Sequence, residues 1–328
     1  MKEIDFVILW VDGNDPDWRR EFIEAKRAEN EDSSEIRYRD WKNLQYWFRS
    51  VEQFAPWVRK IHFITWGHLP EWLNVTNPKL HIVNHADYIP SAYLPTYNSN
   101  VIELNINRIE GLADQFVLFN DDTFLCRRCT PEDFFRKDVP CDMARLSVVQ
   151  PSSVGHIVYN DLELINAKYV KNRVIKAHPG KWFAPCYGCM NLLKTLSLMP
   201  WSMFPGIFDH HMPQPYLRSQ FQRAWKIWEK ELDATGRRRF RDLTNLSHWL
   251  IRYDMLCRGE FTPRGLKDCG LMTIEDNTID AICRNIEQQR FRMICLNDSE
   301  RISNFDALSW QLCGAFNHIL PEKSSYEL

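Results

Sequence analysis

Hydrophobic positions in the first 125 residues alternate between short continuous runs and sets with helical spacing. Between two of the runs, apolar side chains recur every three or four positions from Leu44 to Phe54, and Pro56 follows as a helix stop signal. Such alternation is typical of a mostly parallel sheet with helices on both faces. We therefore expect an α/β fold, Rossmann-like or GT-A-like. The runs that predict strands are Ile4–Trp10, Ile61–Thr65, Lys79–Val83 and Phe116–Phe119.

The rest of the chain has a different pattern. Residues 126–220 are rich in Pro, Cys and aromatic residues without clean periodicity, which predicts loops and short elements around a site. A helix is then predicted whose apolar face packs on the core, with peripheral membrane contact as the alternative. The interpretation is one catalytic domain, 1–328, with a nucleotide-binding core in 1–125 and a helical C-terminal portion within 126–328. The apolar face of that helix carries Phe221, Trp225, Trp228 and Leu232.

Composition narrows the function classes. A net charge of -2 gives no overall field that would attract nucleic acid. No apolar run approaches the roughly 20 residues that span a bilayer, and none has the form of a secretory signal. We expect a cytoplasmic protein, which in one version of the prediction works at the inner face of the cytoplasmic membrane. The aromatic content of 13 % suits either sugar-stacking surfaces or a large core.

Ten cysteines include two C-x-x-C pairs, Cys126/Cys129 and Cys186/Cys189. The pairs stand farther apart in the chain than those of a zinc ribbon. Buried, reduced thiols that pack as small hydrophobic groups are the prediction, and a structural zinc is the alternative.

Acidic residues follow two predicted strands at their carboxyl ends. Asp12 comes after the first strand in "DFVILWVDGNDPDW", and Asp121 and Asp122 come after the fourth in "FVLFNDDTFL". Open α/β sheets bind ligands at this edge, and Mg²⁺ typically takes one or two carboxylates plus phosphate oxygens. These acids predict a site for Mg²⁺ or Mn²⁺ beside a nucleotide diphosphate, with helix caps or turns as the alternative. Asp15 and Asp17 fit helix caps or turns better.

Four stretches, in order, resemble the four conserved regions of the Stealth family. That family comprises bacterial capsular-polysaccharide phosphotransferases and the eukaryotic N-acetylglucosamine-1-phosphotransferase of lysosomal targeting. No single stretch would be enough, but together they cover most of the chain. The stretches are Asp5–Trp18, Arg37–Thr65 continuing to Leu94–Leu125, Asp209–Leu250 ("DHHMPQPY…RRRFRDLTNLSHWL"), and Ile294–Ser299 ("ICLNDS").

The resemblance implies transfer of hexose-1-phosphate, or N-acetylhexosamine-1-phosphate, from a UDP-sugar donor. The acceptor would be a hydroxyl of an oligo- or polysaccharide, lipid-linked in one version of the hypothesis. A phosphodiester would form and UMP would leave. The setting would be synthesis of capsular or other cell-surface polysaccharide.

The resemblance also assigns roles to acidic residues. Asp12 and Gly13 would line the nucleotide pocket. Asp121 and Asp122 would bind Mg²⁺ or orient the acceptor, and Asp298 would complete the metal site. Ser299 stands where relatives often carry a further acid, which weakens a metal role for that block.

The basic and polar matches lie in the second and third regions. His211 would be the general base, preferred to its neighbour His210, because an imidazole titrates near neutrality. Arg239 and Arg241 would bind phosphate oxygens. Arg49 would reach a phosphate or pair with an acid inside the fold.

Asn98 and Ser99, in "PTYNSN", would contact donor or acceptor sugar, with a helix N-cap as the other role. Two positions depart from the family pattern: Asn107 replaces a frequent histidine, and "WKNL" replaces the usual Gly-Glu-Leu. A site role for Asn107, and any acid from the "WKNL" loop, is therefore in question.

Two rival functions stay open. A conventional glycosyltransferase would use the same sheet and metal but release UDP, and residue patterns alone do not separate it from a phosphotransferase. A non-catalytic carbohydrate-binding protein is the second rival. Joint retention of the acid pair, His211 and the two arginines argues against it.

Overall fold

The computed structural model describes residues 2–29 and 39–328; Arg37 and Tyr38, at the start of the second family-like stretch, lie outside it. The strands are β1 Ile4–Leu9, β2 Ile61–Thr65, β3 Leu80–Asn84, β4 Gln115–Phe119, β5 Thr123–Leu125, β6 Phe135–Arg136, β7 Val139–Asp142, β8 Gln214–Leu217, β9 Thr262–Pro263, β10 Cys269–Thr273 and β11 Met293–Asn297. The helices are α1 Pro16–Glu29, α2 Leu44–Phe54, α3 His85–Tyr88, α4 Ser99–Leu104, α5 Ser153–Lys168, α6 Lys171–Ala177, α7 Pro179–Trp182, α8 Cys189–Ser197, α9 Arg218–Ile227, α10 Glu229–Gly236, α11 Trp249–Arg258, α12 Ile279–Glu287 and α13 Phe305–Ile319.

The central sheet has the strand order β3-β2-β1-β4-β8. Its first four strands run parallel, and β8 pairs antiparallel with β4. This is the order of one Rossmann half with an antiparallel strand added at the edge. The predicted α/β class is confirmed, and the four predicted strands are present with ends shifted by at most one residue.

Side chains of β1 alternate between the two faces of this sheet. Phe6 and Ile8 pack into one core cluster with α2, α12 and α13, whereas Val7 packs into a second cluster with α4, α5, α9 and α11. A strand buried on both faces is apolar at successive positions, which explains the continuous hydrophobic run in the sequence.

A smaller sheet, in the order β10-β11-β5, adjoins the central one. β5 follows β4 after a tight turn, and β11 pairs antiparallel with β5. Strands from the C-terminal part thus complete both sheets.

The expectation of loops and short elements in 126–220 is wrong for α5, which has 16 residues. Its buried side chains, Ile157, Val158, Leu162 and Ile165, form a narrow stripe, and Ser152 caps it by accepting from the Gly155 amide at 2.9 Å. The surrounding Pro, Cys and aromatic residues obscured this stripe.

The apolar face predicted for 221–232 packs in the core. Phe221, Trp228 and Leu232 are buried, and Trp225 stacks on Tyr93. The segment forms two helices, α9 and α10, that meet at Trp228.

The cysteine prediction holds for one pair and is wrong for the other. Cys126 and Cys129 are buried, but Cys186 and Cys189 are exposed at the turn before α8 and at its start. The described residues hold no helix with the length and apolar character that a membrane span requires.

Candidate active site

The carboxyl edge of the central sheet gathers three of the segments singled out by sequence. β1 and β4 are paired neighbours, so the loop beginning at Trp10 and the turn beginning at Asn120 emerge side by side. β8 runs the opposite way, with Gln214 paired to Leu118, so the residues preceding it lie at the same edge. Asp12, Asp121, Asp122 and His211 are thereby brought to one end of the sheet.

The turn between β4 and β5 presents the acid pair. The Thr123 amide and hydroxyl both donate to the Asn120 carbonyl, at 3.1 and 2.7 Å, and close the turn. The Leu296 amide of β11 donates to the Asp122 carbonyl at 2.9 Å. Main-chain bonds and the Thr123 hydroxyl hold this turn, so the two carboxylates are not needed to close it.

Both carboxylates have raised pKa values. Asp121 is open to solvent from the cleft but has protein on most sides; this desolvation and the charge of Asp122 raise its pKa to about 7. Burial raises the pKa of Asp122 to about 6, opposed by a hydrogen bond from the Cys295 thiol. Because two neighbouring carboxylates repel each other when both are ionised, this pair favours a bound cation.

A hard divalent cation fits this pair. Oδ1 of Asp122 is buried and has no hydrogen-bond partner among residues 2–29 and 39–328, while Oδ2 accepts from Cys295. Within the same residues, no group of three or more His, Cys, Asp or Glu side chains is placed to hold a metal. The protein would thus supply one or two carboxylates and leave the other positions to phosphate oxygens and water, as Mg²⁺ usually has it.

Asp40 is an acidic residue of the site that the sequence analysis missed. It lies in the loop before α2, where the family-like motif departs from its usual residues. Burial raises the pKa of Asp40, and the charge of Asp12 adds to the effect; Asp40 in turn raises the pKa of Asp121. Asp12, Asp40, Asp121 and Asp122 form one acidic group, which we call the acidic cluster.

Asp298 does not fit its predicted place among the metal ligands. Arg39 donates to both of its carboxylate oxygens, at 3.0 and 2.8 Å, and the Trp41 indole donates at 3.2 Å. A carboxylate already neutralised by a guanidinium is a poor additional metal ligand. Asp298 instead links the end of β11 to the loop in which Asp40 lies.

The loop after β1 is held by local hydrogen bonds. The Asp12 amide donates to Nε2 of His68 at 2.7 Å, and Asp12 Oδ1 accepts from the Asn14 amide at 2.8 Å, which makes a turn around Gly13. Asp15 accepts from the Trp18 amide at 2.8 Å at the start of α1, as expected of a cap. His68 gave no signal in the sequence analysis.

An aromatic cluster joins three of the family-like segments. Trp18 and Phe22 of α1 pack against Tyr97, with ring centroids 6.0 and 5.2 Å away, and Tyr97 stacks on Phe240 at 5.4 Å. The "PTYNSN" and "RRRFRD" segments therefore lie together beside the first loop.

Asn98 has a structural role in this arrangement. Its buried side chain donates to the carbonyls of Arg238 and Phe240 and to the Asn245 side chain, and it accepts from the Asn100 amide to cap α4. The predicted sugar contact is not available to a side chain so fully occupied; the alternative N-cap role is the one observed.

Ser99 and Arg241 are in contact. Arg241 Nη2 donates to the Ser99 hydroxyl at 2.5 Å, and the positive charge of Arg241 acts on the buried Glu103. Arg239 instead pairs with Glu29 at the end of α1, at 3.3 Å. Arg241 is thus the better placed of the two for a phosphate role.

Arg49 lies away from the cleft and takes the second of its two predicted roles. Its guanidinium donates to both oxygens of Glu327, at 2.9 and 2.7 Å, and to the Leu320 carbonyl at 3.0 Å. This largely buried pair fixes the C-terminal segment to α2, so the phosphate role does not fit.

His211 has a left-handed backbone, with φ 52°, in the turn before β8. Its imidazole is exposed to the cleft at 6.2 Å from the Trp249 ring, and partial desolvation lowers its pKa. The next residue fixes the turn: the Met212 amide donates to Nδ1 of His210 at 3.1 Å. His210 therefore carries its proton on Nε2, facing Asp142 at 3.3 Å, and is a structural residue.

A second buried pair near His211 was also missed. Nδ1 of His248 bonds to the Tyr216 hydroxyl at 2.7 Å, and Nε2 lies 3.8 Å from Glu103. Burial raises the pKa of Glu103 to about 7, and burial together with the charge of Arg252 lowers the pKa of His248 to about 3. No local sequence pattern marks either residue.

Asn107 is buried, with its carbonyl accepting from Arg218 at 2.7 Å.

Comparison with known proteins agrees with this placement of motifs. Family models match three parts of the chain: Stealth protein conserved region 1 over residues 2–29, conserved region 2 over 37–142, and conserved region 3 over 210–253. The acid pair, the Asp12 loop and His211 all fall inside these matches. The resemblance of 294–299 to a fourth region stays a prediction.

Several relatives match along their whole length. A capsular polysaccharide phosphotransferase WcwK of Streptococcus pneumoniae is 41% identical over 100% of this chain and 98% of its own. The exopolysaccharide phosphotransferase cps2G of Lactiplantibacillus plantarum is 36% identical over 99% and 96%, respectively. The receptor polysaccharide phosphotransferase WefC of Streptococcus oralis is 33% identical over 100% of both chains.

Among solved structures, galactosyltransferase LgtC in complex with donor and acceptor sugar analogs has a TM-score of 0.43 and 10% identity, covering 98% of this chain and 96% of that one. The region matches and the full-length relatives identify the family: this chain belongs to the Stealth family.

Proposed function

We propose that this protein transfers a sugar-1-phosphate from a UDP-sugar to a saccharide hydroxyl during synthesis of a cell-surface polysaccharide. The observation that carries the proposal is the meeting of the acid pair, Asp121 and Asp122, with His211 at one edge of the sheet. The full-length relatives are named polysaccharide phosphotransferases, which supports transfer of a phosphate-linked group.

The acidic cluster is the part of the site that would receive the pyrophosphate. Asp121 and Asp122 would hold Mg²⁺, or Mn²⁺, through the unpartnered Oδ1 of Asp122 and the cleft-facing carboxylate of Asp121. When bound, the cation would neutralise charge on the phosphate oxygens. The Asp12 loop, fixed by His68, would border the nucleotide, and Arg241 would add a guanidinium beside the phosphates.

His211 would accept the proton of the acceptor hydroxyl. The lowered pKa keeps its imidazole neutral at pH 7, and its exposure to the cleft lets a hydroxyl approach. A bond then forms between the acceptor oxygen and the phosphorus that bears the sugar. The bond from that phosphorus to the bridging oxygen breaks, and its electron pair leaves with UMP. The phosphodiester and a protonated His211 result.

The nucleotide product tests the proposal. Purified protein is incubated with Mg²⁺, a panel of UDP-sugars and a polysaccharide acceptor, and the released nucleotide is identified by chromatography with ³¹P NMR of the product. UMP together with a phosphodiester signal is the expected result. UDP with no phosphodiester signal would mean a conventional glycosyltransferase. Donor binding without any release, across the panel, would favour the carbohydrate-binding function.

A further inference from the structure

One surface of the protein combines exposed apolar side chains with an excess of positive charge. Five of the sixteen strongly exposed large apolar side chains among the described residues fall within positions 190–203. We call this surface the apolar patch, and it consists of Met190, Leu193, Leu196, Trp201 and Met203. So dense a set in one short segment marks an interaction surface and not ordinary scatter.

The geometry of α8 places three of these side chains on one side. Met190, Leu193 and Leu196 follow one another at three-residue steps, which keeps them within one third of the helix circumference. The opposite side of α8 is docked: the hydroxyl of buried Thr195 accepts from the Leu146 amide at 3.3 Å, and Asn191 accepts from Arg145 at 3.0 Å. The helix is thus held rigidly with its apolar side outward.

The chain segment that includes the apolar patch carries charge of one sign. Residues 164–208 contain no Asp or Glu but six Lys or Arg. Arg173, Lys176 and Lys194 among them are exposed, and Lys194 lies on α8 itself. Binding to a protein partner of average composition would not require an excess of positive charge, whereas binding to a uniformly negative surface would. Exposed Trp beside Leu and Met, with Lys at the margin, is the pattern of a segment that lies in a lipid interface.

The docked side of α8 is linked through hydrogen bonds to the segment that leads to His211. Arg145, which holds Asn191 of α8, accepts at its carbonyl from the Phe208 amide at 2.9 Å. Asp209, His210 and His211 follow directly in the chain.

We infer that the apolar patch, with Arg173, Lys176 and Lys194, docks the protein on the surface of an anionic lipid bilayer. This surface is separate from the apolar faces of α9 and α10, which the core occupies. The inference concerns location only, so it holds or fails independently of which nucleotide the enzyme releases.

Vesicle flotation tests the inference with the full chain. The protein should float with phosphatidylglycerol vesicles and not with phosphatidylcholine vesicles. The triple variant Leu193→Ser/Leu196→Ser/Trp201→Ser should bind about tenfold more weakly or worse, since it removes most of the buried apolar area. The variant Lys176→Glu/Lys194→Glu should weaken binding by at least about fivefold for each charge, and less so at high salt.

Trp310→Ser is the matched control, because Trp310 is 81% exposed on α13, outside the apolar patch. It should float like the unchanged protein, and all variants should unfold at similar temperatures. No flotation of the unchanged protein, or an equal loss with Trp310→Ser, would overturn the inference. Unchanged flotation of the triple variant would also overturn it. If sedimentation velocity then showed that the triple variant had lost a dimer formed by the unchanged protein, the patch would join two copies of the chain.

A thiol probe gives a second readout if the triple variant does not fold. Cys189 is exposed at the start of α8, next to Met190. An environment-sensitive fluorophore on Cys189, in a Cys186→Ser background, should shift its emission to the blue on adding phosphatidylglycerol vesicles. An unshifted spectrum would contradict the inference.

Discussion

Arg252 and Asp142 form a two-point ion pair, with distances of 2.8 and 2.9 Å, in which neither side chain is exposed. Asp142 also accepts from Gln214 of β8 at 3.0 Å and faces His210, so the pair fixes the turn that carries His211. Burial alone would raise the pKa of Asp142, but Arg252 and His210 outweigh it and hold that pKa far below its ordinary value.

Replacing Asp142 with Asn should therefore destabilise the protein by about 3–5 kcal/mol, because the buried Arg252 would lose its two-point partner and keep only a single carboxylate contact, with Asp209. Denaturant unfolding measures this free energy. The double variant Asp142→Asn/Arg252→Met should recover part of the loss. A loss under about 1 kcal/mol would place the pair among ordinary exposed ion pairs.

The metal assignment separates Asp122 from Asp298. Mg²⁺ should raise the midpoint of thermal unfolding of the unchanged protein, and Asp122→Asn should remove that response together with transfer activity, because the unpartnered carboxylate oxygen is lost. Asp298→Asn should lower the midpoint itself but keep the response to Mg²⁺, since Asp298 is engaged by Arg39. The reverse pattern would return Asp298 to the metal site.

His211→Ala should lower kcat by about 10²–10⁴-fold and change the KM for the UDP-sugar little, as expected for loss of a general base. In the unchanged enzyme kcat should fall as pH drops through the His211 pKa, which desolvation places below 6.5. This acid limb should be absent from the pH profile of the variant. A higher KM at unchanged kcat would make His211 a binding residue instead.

Glu103→Gln should alter the pH dependence of stability. The folded pKa of about 7 is above the ordinary value of 4.5, so the folded state binds more protons between these values, and stability falls as pH rises through the interval. Gln removes this cost, so the variant should gain up to about 3 kcal/mol relative to the unchanged protein between pH 4 and pH 8. Unfolding free energies at both pH values measure the difference. If the two proteins differed in unfolding free energy by the same amount at pH 4 and pH 8, the pKa of Glu103 would be the same in the folded and unfolded states.

Two arginines of the family-like motifs should behave differently. Arg241→Ala should weaken binding of the UDP-sugar by about tenfold or more, since a guanidinium beside phosphate oxygens is lost. Arg49→Ala should leave binding by the folded protein unchanged and lower the unfolding free energy by breaking the pair with Glu327. Calorimetric titration with UDP-sugar, alongside denaturant unfolding, measures both. Weakened binding in the Arg49 variant alone would exchange the two roles.

Local patterns in the sequence were enough to predict the acidic site at the edge of the sheet. Each strand is an apolar run, and Asp12, Asp121 and Asp122 follow their strands within a few residues, so parallel pairing was enough to predict that they meet. Asp40 escaped prediction because its position depends on Arg39 pairing with Asp298, whose place in the chain is distant.

The same limit explains the other differences. Arg49 matches a motif, but its partner Glu327 is at the far end of the described chain, so burial against it leaves no local signal. For Asn98 the sequence left two roles open, sugar contact and helix capping. Its three hydrogen bonds to the 238–245 segment give it a structural role. Glu103 and His248 lie far apart in the chain and meet only in the folded protein.

Long-range closure of the cleft has a consequence during translation. The Asp122 carbonyl is bound by Leu296, and the Asp40 loop is bound by Asp298. Early and late segments of the polypeptide must therefore both have left the ribosome before the acidic cluster takes its final geometry. Activity on nascent chains should appear only once position 298 has emerged, so a synthesis product stalled before that point should be inactive.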